Sequence, residues 1–196
     1  RRTRFGMADA LRTCSTRRRS TTPSSEPNNS ERPSASAPAT AADAPAIAEI
    51  YNYEVENTVV TMDLVPRSVE EQQSYILTRT GAFATIVACD SETGEVIGWG
   101  ALSPYKDRPA YNTSVEDSIY IRRDRTGQGI GKVLLSHLLD TARSHGFHSV
   151  LARIEATTEA SLALHTKLGF ETVGVEREVA RKFGRWIDVV LMQLIL

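Results

Sequence analysis

A single three-layer α/β domain is the fold this sequence predicts, and three observations lead there. Strand-like and helix-like patterns interleave along the chain, in the order α, β, α, β-β-β, α-β-α, β-β. One strand–glycine loop–helix–strand unit lies in the middle, the connection that places helices against a sheet. The 196 residues, 41% hydrophobic and 24% charged, are enough for one ordinary core. There is no internal repeat.

The elements follow in order. Structure is expected to begin near Thr40, where Thr40-Ala41-Ala42-Asp43 fits a capping box. Pro45 falls in the first turns of the helix that follows, where a missing N–H costs little. Ile47, Ile50 and Tyr51 share one face of it. Residues 57–65 read as a strand. Ser68-Val69-Glu70-Glu71 is a second capping-box pattern, opening a helix toward Arg79 that Thr80-Gly81 stops.

Two β runs, 83–89 and 95–102, flank the turn-rich Asp90-Ser91-Glu92-Thr93-Gly94 and predict a hairpin. A polar loop through Pro104, Lys106, Asp107, Arg108 and Pro109 leads to a strand over 112–121. The strongest amphipathic helix opens at the glycine loop, with Ile130, Val133, Leu134, Leu138, Thr141 and Ala142 on its buried face and Gly146 at its end. Residues 150–154 form a strand, 159–168 a short helix stopped by Gly169, and 170–179 and 185–196 two last strands.

Charge is distributed unevenly. The first 34 residues carry eight arginines against Asp9, Glu26 and Glu31, a charge of +5, so the remainder carries −6 and the whole −1. This segment has no Val or Ile and is rich in Ser, Thr and Pro. Residues 1–36 are therefore expected to be a disordered basic tail ahead of a domain over 37–196. An Arg- and Ser-rich, acid-poor leader resembles an organellar transit peptide; a basic arm and a plain extension are the alternatives.

The near-neutral whole argues against nucleic acid or anionic lipid as the main partner. No run approaches the ~20 apolar residues of a membrane span. Cys14 and Cys89 supply neither a disulfide framework nor a zinc spacing, and no His/Cys/Asp cluster implies a metal. A cytoplasmic home is expected, or the mitochondrial matrix if the tail is a transit peptide.

Gly127-Gln128-Gly129-Ile130-Gly131, between a strand and a helix, is the most informative segment. Glycines there let the backbone turn tightly and leave N–H groups free at the positive end of a helix dipole, a site for a diphosphate; the alternative is a plain strand–helix turn. A Walker A loop is excluded by Thr126 and Val133, and a dinucleotide fingerprint by Lys132.

With Thr126 ahead of it and Lys132 after it, this loop resembles the signature of the GCN5-related N-acetyltransferase (GNAT) superfamily, Gln/Arg-x-x-Gly-x-Gly/Ala. Thr126 stands at its first position. Ser161-Leu162-Ala163-Leu164-His165-Thr166-Lys167-Leu168-Gly169-Phe170 matches the pattern that closes the family's acetyl-CoA region. Within the superfamily the chain is similar to the phosphinothricin and methionine sulfoximine acetyltransferase branch, through residues 104–111, Glu116-Asp117-Ser118-Ile119-Tyr120-Ile121, Leu164-His165 and 183–189. Val59, Val60 and Thr61 stand where the branch often has an aromatic, and Thr158 where it commonly has an Asn that touches the cofactor.

The resemblance implies a mixed, mostly antiparallel twisted sheet flanked by helices, and acetyl-CoA as co-substrate. Ile119, Tyr120 and Ile121 would offer backbone groups to its pantetheine arm, and Gly127, Gln128, Gly129, Ile130, Gly131 and Lys132 would hold its pyrophosphate, with Thr158 nearby. Glu116 matches the catalytic glutamate and is the expected general base. His165 is the second catalytic candidate, able to exchange protons near neutral pH; the alternative is a helix-face histidine packed beneath the sheet.

Arg108 and Tyr111, and more weakly Lys106, would recognise the acidic end of an amino-acid substrate, since Arg presents a bidentate fork to carboxylate or phosphinate. The expected reaction is acetylation of the α-amino group of a small amino-acid analogue by direct attack in a ternary complex. Acetylation of a protein N-terminus or lysine, and a non-catalytic acyl-CoA-binding role, are the alternatives. The apolar stretch 186–196, read as an otherwise exposed edge, implies a homodimer.

Overall fold

The structure, a computed structural model, describes residues 35–196, so the expected disorder of residues 1–34 lies outside the described residues, while Ala35 and Ser36, expected in the tail, belong to a strand. Four helices, α1 (Ala44–Asn57), α2 (Val69–Thr78), α3 (Ile130–Ser144) and α4 (Glu159–Lys167), pack around one sheet. Its seven strands are β1 (Ala35–Pro38), β2 (Ile86–Cys89), β3 (Val96–Pro104), β4 (Ser114–Ile121), β5 (Ser149–Glu155), β6 (Glu171–Lys182) and β7 (Arg185–Ile195), in the spatial order β1-β2-β3-β4-β5-β7-β6. Among the described residues, only the β4–β5 pair is parallel. The three-layer α/β expectation holds.

Alternation along the strands divides the core in two. Leu102, Val115, Val150, Ala152, Ile154 and Met192 meet Leu134, Leu135 and Leu138 of α3 on one face. On the other, Val87, Trp99 and Ala101 meet Ile47, Ile50 and Tyr51 of α1 and Ile76 of α2. Tyr120 stacks on Trp99 at 4.9 Å, and the Tyr51 ring stands edge-on to both.

Both capping boxes form at the expected residues. Ser68 Oγ accepts from the Glu71 amide at 3.1 Å while Glu71 accepts from the Ser68 amide at 2.7 Å. At Thr40 the amide and the hydroxyl both donate to Asp43, and a short 3₁₀ turn intervenes before α1.

Three expectations need correction. The strand expected over 57–65 does not exist. α1 continues to Asn57, Thr58 caps it by donating its amide and hydroxyl to the Glu54 carbonyl, and residues 58–65 cross over to α2. The β-branched run has no neighbouring strand to pair with. Instead the buried Lys182 ammonium donates to the carbonyls of Glu54 and Thr61.

The expected start of structure near Thr40 is also wrong. β1 begins at Ala35 and pairs with β2, Ser36 opposite Ala88, and Ser36 Oγ lies 2.7 Å from His137 Nδ1 on α3. A short, small-residue strand carries too little hydrophobic pattern to stand out. Finally, 186–196 is not an edge, because β7 lies between β5 and β6, and β6 is the edge strand. Cys89, ending β2, is disulfide-bonded. Among the described residues no helix is long and apolar enough to cross a membrane.

Candidate active site

β4 carries the site. It is bonded to β5 only from Ser114 to Glu116, opposite Ser149 to Leu151, and beyond that the strands part. The β4 backbone from Asp117 to Ile121 pairs with β3 on one side and has no strand on the other. The result is a wedge that opens from Glu116 toward the glycine loop.

At the wide end, Gly127 and Gly129 have φ of +76° and +80°. A Cβ would meet nothing within 4 Å at either residue, so glycine is required by backbone conformation and not by space. Gly129 caps α3, whose first turn has no side-chain cap. The amides of Gly127 through Gly131 find no acceptor among the described residues, and the first bonded ones, Lys132 and Val133, donate to Gly129. Gly131 packs closely, since a Cβ there would lie 2.9 Å from a terminal methyl of Leu164, which would have to shift to admit it. A cleft of about 590 Å³ runs along these turns, lined by Gln128, Gly129, Ile130 and Lys132 together with Ser36 and His137. Free amides at a helix start are what a diphosphate needs.

At the narrow end Glu116 is half-buried and no bond to its carboxylate is found among the described residues. Val115 faces α3, so Glu116, Ser118 and Tyr120 face the α1–α2 side. Burial pushes its pKa up, the neighbouring charges of Asp117 and Glu176 add to the rise, and Arg153 opposes it. A carboxylate so placed is a better proton acceptor than a solvated one.

His165 lies elsewhere. Only 2% exposed, it sits beneath the sheet on the α3–α4 side, its Nε2 3.2 Å from Asp117 Oδ2, its Nδ1 2.8 Å from the Ser161 carbonyl, and its ring edge-on to Phe170. Because Glu116 and Asp117 are adjacent on β4, they point to opposite faces, and the two catalytic candidates are not brought together. Both ring nitrogens are occupied within the protein.

Thr158, at the start of α4, donates its hydroxyl to Glu155. Tyr120 has its side chain packed under α1, where burial raises its pKa strongly, so only its backbone faces the wedge. The loop carrying the recognition candidates joins the ends of β3 and β4, beside Glu116. Lys106 lies over the rings of Tyr105 and Tyr111, while Arg108 has no side-chain bond or ion pair among the described residues.

Three groups beside the site carry no distinguishing sequence signal of their own: Asp117 within the family-like motif, Arg153 within a short strand pattern, and the Tyr51–Arg67–Tyr75 stack, whose members are far apart in sequence. Arg67 is held between the two rings, 4.2 and 4.8 Å from their centroids, and bonds to Asp63, which also accepts from Tyr51. Burial and the Asp63 bond push the Tyr51 pKa up to about 12. The strand alternation around Glu116 was the available signal for Arg153.

The acetyltransferase (GNAT) domain family matches residues 38–191. The chain belongs to the GNAT acetyltransferases. It is 39% identical to the phosphinothricin N-acetyltransferase of Streptomyces coelicolor over 145 residues, 73% of this chain and 85% of that protein. It is 37% identical to the L-methionine sulfoximine/L-methionine sulfone acetyltransferase of Pseudomonas aeruginosa over 153 residues, 78% and 89% of the two chains. The crystal structure of a GNAT superfamily phosphinothricin acetyltransferase from Sinorhizobium meliloti, in complex with acetyl-CoA, superposes with a TM-score of 0.80 at 40% identity, covering 84% of this chain and 89% of that one. This GNAT domain uses acetyl-CoA as its co-substrate, and the unpartnered loop amides and the open β4 edge suit a diphosphate on an extended amide-bearing arm. Among the described residues no cluster of three or more His, Cys, Asp or Glu is placed to hold a metal ion.

Proposed function

We propose that this GNAT domain acetylates the α-amino group of a small amino-acid analogue such as phosphinothricin or methionine sulfoximine, by direct attack in a ternary complex. The observation that carries this reading is the half-buried, unpaired Glu116 carboxylate where β4 and β5 part, one wedge length from the free amides of residues 127–131. The similarity to acetyltransferases of phosphinothricin and methionine sulfoximine supports the acceptor class.

Acetyl-CoA supplies an activated thioester. The loop amides from Gly127 to Gly131 and the Lys132 side chain hold its diphosphate, and the unpaired backbone of residues 119–121 aligns its arm. Glu116 accepts a proton from the acceptor ammonium, directly or through water, and so generates the neutral amine. Arg108 and Tyr111, with Lys106 restrained by its aromatic neighbours, recognise the acidic distal end of the acceptor. His165 acts through Asp117 as a positioning residue, anchoring α4 to β4 below the wedge. Thr158 orients Glu155 at the start of α4.

The β6 edge carries exposed Val173, Val175 and Val179, the turn beyond it exposed Phe183, and the start of β7 exposed Trp186. This surface is the proposed homodimer contact. The cytoplasm is the proposed location, tested by fractionating cells that express the full chain. The function is tested by a panel of amines assayed for CoA release, with phosphinothricin, methionine sulfoximine and methionine sulfone set against a peptide N-terminus and free lysine. Turnover confined to the peptide would replace this reading.

A further inference from the structure

Arg153 stands out on β5. It is the exposed residue of an otherwise buried strand, its side chain 41% accessible. Val150, Ala152 and Ile154 face α3, so Leu151 and Arg153 face the Glu116 side. Leu151 is the register partner of Glu116 and the last β5 residue bonded to β4. Arg153, two residues on, is therefore on the far lip of the wedge, diagonal to Glu116 and just past the point where the strands part. A neighbouring position on one face of a sheet is within reach of a long side chain.

Its charge is only partly satisfied inside the protein. Nη2 pairs with Glu176 Oε2 at 2.6 Å, reaching across β7 to β6, and Glu176 is itself 42% exposed. A solvent-exposed pair of this kind is weak and exchanges readily. The guanidinium has further donors in a fixed fork, which match a carboxylate in bidentate fashion. Among the described residues, Arg153 is also the opposite charge that acts on Glu116. In an α-amino acid the carboxylate is borne by the same carbon as the amine, so an acceptor whose amine meets Glu116 brings its carboxylate into the immediate neighbourhood of Glu116.

We propose that Arg153 is a specificity-determining residue that binds the α-carboxylate of the acceptor beside Glu116, exchanging Glu176 for the substrate. This rests on the amino-acid reading above and assigns the α-carboxylate and the distal end to two arginines, Arg153 and Arg108. In the free enzyme Glu176 holds the guanidinium over β7, on the side of β5 away from the wedge, and release from Glu176 frees it to turn toward Glu116.

The test compares methionine sulfone with 3-(methylsulfonyl)propylamine, the same acceptor without the α-carboxylate. Arg153→Ala is expected to raise KM for methionine sulfone by about 10- to 100-fold, the range for a lost charged hydrogen bond, and to leave KM for the amine unchanged. Arg153→Lys is expected to recover part of the loss, and Glu176→Gln to lower KM for the amino acid by removing the competitor. Calorimetric acetyl-CoA affinity should be unchanged in all three, and Arg153→Gln replaces Arg153→Ala if the latter does not fold. Equal changes for both acceptors, or none for either, would overturn the assignment while leaving the amino-acid reading intact. A wild-type protein that binds acetyl-CoA but acetylates neither acceptor removes the amino-acid reading, and the proposal with it.

Discussion

Asp117 and His165 form a buried pair, 3.2 Å apart and each with 2% of its side chain exposed, that ties α4 to β4 directly under the wedge. Asp117 Oδ1 has no hydrogen-bond partner among the described residues, so this carboxylate depends on His165. Burial alone lowers the His165 pKa, but the Asp117 bond and charge, with the Ser161 carbonyl, outweigh it and the net shift is upward. A raised folded value means that the stability from the protonated pair is complete below the unfolded histidine's ~6.5 and is lost as pH rises through the folded value. NMR titration should find His165 still protonated where an exposed histidine is neutral.

Breaking the pair should cost stability before chemistry. Asp117→Ala leaves a buried imidazole without its acceptor and is expected to lower unfolding free energy by about 3 kcal/mol. Denaturant melts measure this, and Asp117→Asn, which keeps an acceptor, should retain part of it. If His165 were instead the acid for the leaving thiolate, His165→Gln would cut kcat far more than stability.

Glu116→Gln should reduce kcat by about 10²- to 10⁴-fold with little change in acetyl-CoA affinity. In the wild type, activity should rise with pH through the elevated Glu116 value, above the ordinary ~4.3 for glutamate. The residual activity of the variant should climb only toward the pKa of the acceptor amine. Stopped-time assays across pH distinguish the two limbs.

Gly129→Asp should abolish or greatly weaken acetyl-CoA binding by calorimetry, because it sets a negative charge against the diphosphate. Gly129→Ala isolates the conformational part. At φ +80° a Cβ costs about 1 kcal/mol, with open space around it. The alanine variant should therefore lose some stability and keep most affinity.

Trp186→Glu with Val175→Glu should convert a dimer to a monomer by light scattering at micromolar concentration, if the exposed β6–β7 surface is the contact. A wild-type monomer at that concentration rejects the dimer outright.

Much of this architecture was legible from local chemistry. The Ser68 box, the amphipathic α3 and the glycine loop are each determined by residues close in sequence, and they appear where expected. The failures share a cause. Val59, Val60 and Thr61 have strand propensity, but Lys182, more than a hundred residues away, takes the carbonyl of Thr61. Ser36 and its neighbours have almost no strand propensity, but the free edge of β2 recruits them. His165 and Glu116 carry family-like signatures, and only the alternation of β4 reveals that they face opposite ways. Long-range pairing overrides local pattern at each of these points.

The strand β1 has a practical consequence. Its first three residues precede the stretch that matches the acetyltransferase domain, and Pro38 is the first residue inside it. Cutting the chain back to that boundary would strip β2 of its hydrogen-bonding neighbour and expose a row of backbone donors and acceptors, an invitation to self-association. It would also remove the Ser36 contact with His137 on the helix that begins at the cofactor loop. A protein prepared from Ala35 onward should remain dispersed where one prepared from Pro38 onward precipitates.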